Sequence, residues 1–277
     1  MGLCTSRKSR STTKTISDSA SFQSSYTILD KIGEGGFGKV YSAIHHLTST
    51  TVVVKKIKKR DVYNTDTLDS TVVPREVKIM ARLSHPNIII LHDFFTLDRS
   101  YLLILETLPI DLFDYMRRFI YLANETCKTI FQQLLPALDY LHTEIGVAHL
   151  DIKPENILYC PSTSRIKLID FGAADWITDS PLISFEGTRL YASPDILLRR
   201  KYNPVDADLW ALGVTLYQML MGHMPFYCDE DYYTQLRFTR PDLDILAQHI
   251  ISLLLCRQSD LRPKTVKDVI NTPWMKF

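Results

Sequence analysis

A change of hydrophobic pattern near Asp111 constrains the fold of this chain more than any other feature of its sequence. Before that point, short runs rich in β-branched and aromatic residues, among them YTILDKIG, KVYSAI and TTVVVKKI, predict an antiparallel sheet, and PREVKIMARL predicts one helix. After it, long segments such as DADLWALGVTLYQMLMG are typical of helices. Strands followed by helices predict an α+β protein with two lobes, at about residues 26–108 and 109–274, and a short end at 275–277.

Composition excludes several classes of protein. The chain has 277 residues, 45% of them hydrophobic, and a formal net charge of +1, so it can bury a large core and has no overall attraction to nucleic acid. Its five cysteines show no paired spacing, which argues against a disulfide framework or a zinc ribbon. The sequence contains neither a secretory signal nor an apolar run of membrane-spanning length. We therefore expect a globular protein of a reducing compartment, a monomer by default, without a nucleic-acid partner.

The first 25 residues have a composition of their own. They are rich in Ser, Thr, Lys and Arg and nearly free of large apolar side chains, so we predict a disordered basic tail over residues 1–25. The tail begins MGLCTS, which fits the pattern for N-myristoylation at Gly2 and makes Cys4 a candidate for palmitate. One acyl chain binds bilayers only marginally, and nearby basic residues add attraction to an anionic membrane surface. We expect a cytoplasmic protein held at a membrane by this tail. The alternative is a basic tail whose second residue happens to be glycine.

Three glycines follow the first predicted strand in the spacing G-x-G-x-x-G. They are Gly33, Gly35 and Gly38, with Val40 two residues further on. Glycines in this spacing let backbone amides approach phosphate oxygens without a side-chain clash. The alternatives are a glycine-rich hairpin turn and a dinucleotide-binding fold. The second needs a helix directly after the glycines, whereas KVYSAI predicts a strand.

A lysine and a glutamate follow the glycines. Lys55 lies in the strand-like VVVKKI and Glu76 lies in the next predicted helix, so the two could form an ion pair. A structural salt bridge, or a solvated strand lysine, explains these residues equally well. Together with the glycines, a strand lysine and a helix acid describe a clamp for the phosphates of ATP.

The stretch VAHLDIKPENIL, residues 147–158, concentrates polar residues that suit phosphoryl transfer. Asp151 could orient an attacking hydroxyl and accept its proton, Lys153 could neutralise the transferring group, and Asn156 could hold a divalent ion. Asp170, in LIDFGAA, follows a predicted strand and precedes Phe171 and a glycine, which suits a second metal ligand. Oxygen ligands of this kind are those that Mg²⁺ prefers. Either acid alone would more often be a turn or cap residue, so the combined pattern carries the inference.

These motifs, in this order, resemble the eukaryotic protein kinase family over about residues 26–274. The family pattern H-R-D-x-K-x-x-N is matched by HLDIKPEN, and D-F-G by residues 170–172, with GTRLYASPD downstream. The match is closest in motif to the calmodulin-dependent and myosin-light-chain kinase group of the serine/threonine branch. The resemblance implies a two-lobed kinase fold, in which a small antiparallel β-sheet lobe carries one main helix and the larger lobe is mostly helical. It also implies ATP and Mg²⁺ as cofactors and protein substrates with Ser or Thr acceptors.

The resemblance assigns roles to further residues. For the nucleotide, it implies Val53 against adenine, Leu105 as gatekeeper, Glu106 and Leu108 as hinge contacts, and Asp111 at the ribose. It places Thr188 in contact with Asp151 and Lys153. It also places Asp208 beneath residues 147–158, called the catalytic loop here, as a brace for that loop. Ordinary packing or solvation is the alternative for the nucleotide contacts.

Among the departures from the family pattern, three bear on the choice between an active kinase and a pseudokinase. Leu150 stands where an arginine usually pairs with a phosphorylated activation loop, so we expect catalysis to survive and control by loop phosphorylation to weaken. Val53 is larger than the usual alanine, and Asp195 replaces a glutamate that we expect to pair with Arg262. These changes leave one alternative open, a catalytically weak pseudokinase that acts as a membrane-tethered binding or scaffold protein. Because the family pattern runs almost to Phe277, we also expect no calmodulin-binding segment after it.

Overall fold

The structure is a computed structural model that describes residues 16–17, 19–35, 38–227 and 235–276. The chain divides into two compact units. One consists of the described residues up to Tyr63 together with Leu91–Glu106, and the other of Asn64–Ile90 together with the described residues from Thr107 onward. Strands dominate the first unit and helices the second, so the predicted α+β class is confirmed.

The strands are, in chain order, β1 (Ile16–Ser17), β2 (Tyr26–Gly35), β3 (Gly38–His45), β4 (Thr51–Lys58), β5 (Thr65–Leu68), β6 (Thr71–Pro74), β7 (Leu91–Thr96), β8 (Ser100–Leu105), β9 (Ile110–Asp111), β10 (Val147–Ala148), β11 (Ile157–Cys160), β12 (Arg165–Leu168) and β13 (Asp175–Trp176). The helices are α1 (Ser19–Ser25), α2 (Arg75–Met80), α3 (Leu112–Met116), α4 (Asn124–Tyr140), α5 (Pro194–Leu197), α6 (Pro204–Met221), α7 (Ile245–Leu254), α8 (Val266–Ile270) and α9 (Pro273–Lys276).

The first unit is built on a six-stranded sheet with the order β1-β7-β8-β4-β3-β2. Neighbouring strands pair antiparallel, except that β1 runs parallel to β7. Val52 and Val54 on β4 are buried and share one apolar core with Ala43, Leu102 and Ile104 from the flanking strands. The β-branched residues of TTVVVKKI therefore form a strand because their alternate side chains fill this core.

Helix α1 corrects the predicted end of the tail. Phe22 is buried and stacks on Tyr26 with ring centroids 5.7 Å apart, and it meets Phe95 edge-to-face at 5.3 Å. One buried aromatic ring contributes a large apolar area, which fixes this short helix on the sheet. The prediction of a disordered tail is therefore wrong for Ile16–Ser17, which pairs with β7, and for Ser19–Ser25; residues 1–15 and 18 lie outside the described part of the chain.

The second unit is organised around helix α6. Nearly all of its residues are buried, as expected for a helix that is apolar on every side. Asn203 caps its start by accepting hydrogen bonds from the backbone N–H of Val205 at 2.8 Å and of Asp206 at 3.4 Å. Gly222 ends it with a φ of 76°, where a side chain would overlap the backbone carbonyl of Ile120. No helix in the described ranges has both the length and the apolar character needed to cross a bilayer.

The boundary between the two units also differs from the predicted one. Residues 64–90, which hold the hairpin β5–β6 and helix α2, group with the second unit. Arg75 at the start of α2 forms an ion pair with Asp175 at 2.6 Å, and the indole N–H of Trp176 donates to Asp66 at 3.1 Å. These contacts join residues that are far apart in sequence, so the local pattern of PREVKIMARL does not predict them.

Candidate active site

The hairpin β2–β3 carries the glycine motif in the first unit. Gly33 pairs with Val40 and Gly35 with Gly38, so the glycines lie where the two strands approach their turn. Gly38 has a φ of 137°, and a side chain there would overlap the backbone carbonyl of Lys56 on β4. Only glycine fits at that position, so the packing of β4 explains this glycine as well as ligand access does. A strand follows the motif, as predicted, which excludes a dinucleotide-binding turn.

Strand β4 carries two further predicted residues of the first unit. Lys55 pairs with Val40 on one side and Leu103 on the other, and it is only 7% exposed, so it is not a solvated strand lysine. Val53 pairs with Leu105, which puts the predicted adenine contact beside the predicted gatekeeper. Glu106 follows directly as the last residue of this unit.

Asp208 organises the loop that follows β10 in the second unit. It is completely buried on α6, where it accepts hydrogen bonds from the backbone N–H of Leu150 at 2.7 Å and of His149 at 2.8 Å. The ring nitrogen Nε2 of His142 lies 2.8 Å from the same carboxylate. These contacts compensate the buried charge, and they hold Leu150 at a φ of 62°, which costs a non-glycine residue about 1–2 kcal/mol. The prediction that Asp208 braces this loop is confirmed.

Asp151 lies at the centre of a cluster of the predicted residues. Lys153 Nζ is 2.8 Å from Asp151 Oδ2 and donates to the hydroxyl of Thr188 at 2.6 Å. The backbone N–H of Thr188 donates to Asp151 Oδ1 at 2.8 Å. The side-chain amide of Asn156 donates to Asp151 Oδ2 at 2.8 Å and to its backbone oxygen at 2.7 Å. Each of the three residues therefore contacts Asp151, and the contacts expected of Thr188 are present.

The protonation state of Asp151 follows from these contacts. Burial opposes ionisation, but hydrogen bonds from Lys153 and Thr188 outweigh it and hold the pKa of the Asp151 carboxyl below its ordinary value. Asp151 is therefore a carboxylate at neutral pH. Because a carboxylate only accepts hydrogen bonds, a hydroxyl brought to it is oriented with its hydrogen towards Asp151.

The backbone segments that carry Asn156 and Asp170, the two predicted metal ligands, lie next to each other. The backbone N–H of Ile169 donates to the backbone oxygen of Asn156 at 2.9 Å, which places the following residue, Asp170, beside it. The amide nitrogen of Asn156 is committed to Asp151, so the amide oxygen is the atom that can bind a cation. Among the residues that the structure describes, no group of three or more His, Cys, Asp and Glu side chains could hold a metal ion. An amide oxygen and a carboxylate fit Mg²⁺, which commonly completes its shell with water and substrate phosphates.

The remaining predicted residues stay less defined. Glu76 on α2 is buried at 6% exposure, and its pairing with Lys55 stays a prediction. Leu108 is half-buried, and Asp111 accepts a hydrogen bond from the backbone N–H of Asp114 at 2.8 Å as the N-cap of α3. Their nucleotide contacts also stay predictions. The predicted acylation sites Gly2 and Cys4 lie outside the described residues.

Leu150 joins the catalytic loop to the activation segment, the name used here for residues 170–195. It is 4% exposed and belongs to an apolar cluster with Ala148, Ala173, Tyr202 and Ala207, against which Ile177, Leu182, Phe185 and Ile196 pack. Backbone hydrogen bonds at 3.0 Å run in both directions between Leu182 and Tyr202. Leu150 therefore holds the activation segment by apolar packing, at the position where the family pattern has an arginine.

Asp195, at the end of the activation segment, forms the predicted pair with Arg262. Arg262 Nη2 lies 3.6 Å from Asp195 Oδ2 and 3.7 Å from Asp206 Oδ2, and its guanidinium stacks over Trp210. The aspartate, although one methylene shorter than glutamate, still reaches its partner. The prediction is confirmed.

Comparison with known proteins identifies the family. Residues 26–275 match the protein kinase domain, so the chain belongs to the protein kinase family, whose members use ATP and Mg²⁺. Serine/threonine-protein kinase PSK2 of Saccharomyces cerevisiae is 37% identical over 268 residues, and probable serine/threonine-protein kinase MARK-A of Dictyostelium discoideum is 35% identical over 260. Sperm motility kinase 1 of Mus musculus is 34% identical over 264 residues. These alignments cover 92%, 90% and 92% of this chain but only 24%, 24% and 52% of the three relatives. The chain thus spans about a quarter to a half of their length.

Sequence reasoning missed several residues that shape the site. His142 and the Arg75–Asp175 ion pair carry no local signal, because each acts through a partner that is distant in sequence. Gly187, in contrast, had a local sequence signal, because it directly precedes the predicted site residue Thr188. A side chain at Gly187 would overlap the backbone carbonyl of Leu150, so glycine lets the activation segment approach the catalytic loop.

Proposed function

We propose that this chain is a serine/threonine protein kinase, which transfers the γ-phosphoryl group of ATP to hydroxyl groups of protein substrates. The observation that carries the proposal is the cluster in which Lys153, Asn156 and Thr188 each contact the ionised Asp151. Phosphoryl transfer needs an oriented hydroxyl, positive charge near the transferring group and a metal ion. The second unit supplies residues for each of these needs.

The reaction follows from the chemistry of these side chains. Asp151 accepts a hydrogen bond from the substrate hydroxyl and then takes its proton. The hydroxyl oxygen bonds to the γ-phosphorus while the bond from that phosphorus to the β,γ-bridging oxygen breaks and ADP leaves. Lys153 offsets the charge on the phosphoryl oxygens, and Thr188 holds Lys153 and Asp151 in place.

Other residues are proposed to bind ATP and its Mg²⁺ ion. Asn156 and Asp170 would hold Mg²⁺, which would neutralise charge on the phosphate oxygens. In the first unit, the glycines of the hairpin β2–β3 and Lys55 bind the phosphates of ATP. The further nucleotide contacts in the proposal are Val40, Val53, Leu105, Glu106, Leu108 and Asp111.

The apolar cluster around Leu150 supports catalysis without a phosphorylated activation segment. Packing that involves Ile177, Leu182 and Phe185 holds the segment where a phosphate would otherwise be needed. The variant Leu150→Arg tests this, since it should acquire a strong dependence on phosphorylation of Thr178, Ser180 or Ser184. Recovery of activity by Leu150→Arg from an inactive wild type would overturn it.

Acylation of the N-terminus would place the kinase at a membrane. The sequence MGLCTSRKSR supports it, because a myristoyl chain on Gly2, palmitate on Cys4 and basic residues together bind an anionic bilayer. Feeding an alkyne analogue of myristate to cells with an N-myristoyltransferase should label the wild type and leave Gly2→Ala unlabelled and in the soluble fraction. Equal membrane binding of both proteins would contradict the proposal.

The direct test of the function is transfer of labelled γ-phosphate from ATP with Mg²⁺ to separate pools of Ser/Thr and Tyr peptides. We expect phosphoserine or phosphothreonine from the wild type. As a control, Asp98→Asn removes the charge of an exposed carboxylate between β7 and β8. This variant should transfer phosphate at the rate of the wild type. Phosphotyrosine as the main product would contradict the assigned branch, and no transfer by well-folded protein would favour the pseudokinase.

A further inference from the structure

One face of the six-stranded sheet in the first unit changes from apolar to basic along its strands. On β4, Val52 and Val54 are buried in the apolar core that Phe22 of α1 joins. Lys56 and Lys58 continue the same alternation along the strand, where Lys56 is half-buried and Lys58 is exposed. Alternate residues of a strand point to the same face of a sheet, so both lysines lie on the face that α1 partly covers.

The neighbouring strands bring two more lysines to this face. Lys39 on β3 pairs with Lys56 on one side and with Glu34 of β2 on the other. Lys31 on β2 pairs with Tyr41, which packs against the same apolar core. Side chains at paired positions share a face, so four lysines and one glutamate form a group, called the basic face here. Its members are Lys31, Glu34, Lys39, Lys56 and Lys58.

The charges of the basic face are not balanced. Lys31 forms an ion pair with one carboxylate oxygen of Glu34, and Lys39 Nζ lies 3.8 Å from the other. The hydrogen bond from Lys31, together with the charges of Lys39 and Lys58, holds the pKa of the exposed Glu34 below its ordinary value. Among the residues that the structure describes, neither Lys56 nor Lys58 has an ion-pair partner. Four lysines against one glutamate leave a surplus of positive charge.

Two of these lysines stand directly opposite each other. Lys39 and Lys56 are partners in the ladder between β3 and β4. Like charges at opposite positions of paired strands repel and destabilise the pairing. Glu34 offsets only part of this repulsion, because it pairs with Lys39 and not with Lys56. An anion above the face would offset the rest, so the face favours a negatively charged partner.

The layout of the basic face indicates which anionic partner fits it. Alternate residues of one strand are about 7 Å apart and neighbouring strands are about 5 Å apart, so the lysines are spread over a surface and do not converge on one point. The headgroups of an anionic bilayer present such a surface of negative charge. Phe22 also packs on this face only about 20 residues after Gly2, so an acylated N-terminus would keep a bilayer within reach.

We propose that the basic face binds an anionic membrane surface directly, with Lys39, Lys56 and Lys58 in contact with lipid headgroups. This binding goes beyond the proposed function, because it belongs to the folded first unit and requires neither an acyl chain nor phosphoryl transfer. An acyl chain on Gly2 would act together with it, since one such chain alone binds bilayers only marginally.

The test measures binding of the whole unacylated chain to vesicles made of equal parts of phosphatidylserine and phosphatidylcholine. The wild type should bind these vesicles and not vesicles of phosphatidylcholine alone, and added salt should weaken the binding. In Lys56→Gln/Lys58→Gln the partition coefficient should be about thirtyfold lower, because each lysine near the surface contributes about fivefold. Glu34→Gln should raise it by about fivefold, because this variant removes the negative charge of the basic face.

Two exposed lysines of the second unit serve as the matched control. Lys201→Gln/Lys276→Gln removes the same amount of charge and should bind like the wild type. Equal losses in the two double variants, or no vesicle binding by the wild type, would overturn the inference. Binding to heparin without binding to vesicles would also overturn it and would indicate a soluble acidic partner. None of these measurements uses phosphoryl transfer or acylation, so failure of the proposed function is detected separately.

Discussion

Shortening Leu150 to alanine should loosen the activation segment and reduce phosphoryl transfer. Leu150 is 4% exposed, and three of its cluster neighbours are the small residues Ala148, Ala173 and Ala207, which cannot move in to fill the space. Removing a buried leucine in such surroundings costs about 3 kcal/mol. Leucine and alanine are similarly strained at a φ of 62°, so the backbone cost cancels between the two proteins.

Amide hydrogen exchange can measure the stability lost in Leu150→Ala within the activation segment itself. If the cluster holds residues 177–187, a loss of about 3 kcal/mol lowers their exchange protection by roughly a hundredfold. The rate of peptide phosphorylation should fall with it, since Thr188 follows directly. Leu190→Ala is the control, because Leu190 is 44% exposed and its loss should change the free energy of unfolding by about 0.5 kcal/mol or less. Wild-type protection of residues 177–187 together with a wild-type transfer rate in Leu150→Ala would refute the reasoning.

Three further predictions concern single contacts. Gly187→Ala should lower the free energy of unfolding by about 1–3 kcal/mol in urea titrations, because its methyl group would overlap the backbone carbonyl of Leu150; an unchanged free energy of unfolding would contradict this. A double-mutant cycle of Arg75→Ala and Asp175→Ala should give a coupling energy of about 1 kcal/mol, since the 2.6 Å pair is partly exposed, and a coupling near zero would show that it does not hold α2. Carbon-13 NMR should find the pKa of Asp151 below its ordinary value, and a raised pKa would contradict the assignment. With a lowered pKa, the ionised carboxylate stabilises the fold at neutral pH, and this stabilisation is lost as the pH falls through the lowered pKa.

The motifs were readable from the sequence because their chemistry is local. Asp151, Lys153 and Asn156 stand within six residues of one another, so the loop that brings them together is fixed largely by their own spacing. The same holds for the glycine hairpin, where KVYSAI indicated a strand and thereby excluded a helix. The brace from Asp208 followed from the family resemblance.

Contacts between distant residues were not readable. Phe22 is a single aromatic residue in a polar stretch, and it joins the core because its ring packs against Tyr26 and Phe95. Arg75 pairs with Asp175, a hundred residues further along the chain in the same unit, and neither residue is distinctive in its own segment. For Leu150, the sequence showed the missing charge but not the apolar packing that takes its place.

The most direct test of the central claim is the rate of Mg²⁺-dependent γ-phosphate transfer from ATP to a Ser/Thr peptide by wild type and Asp151→Asn. We expect a readily measured rate for the wild type. The rate of Asp151→Asn should be at least about a hundredfold lower, because the variant lacks the carboxylate that accepts the proton of the substrate hydroxyl. Circular dichroism should show that both proteins are folded. Equal transfer by both proteins would contradict the role assigned to Asp151 and, with it, the proposed mechanism.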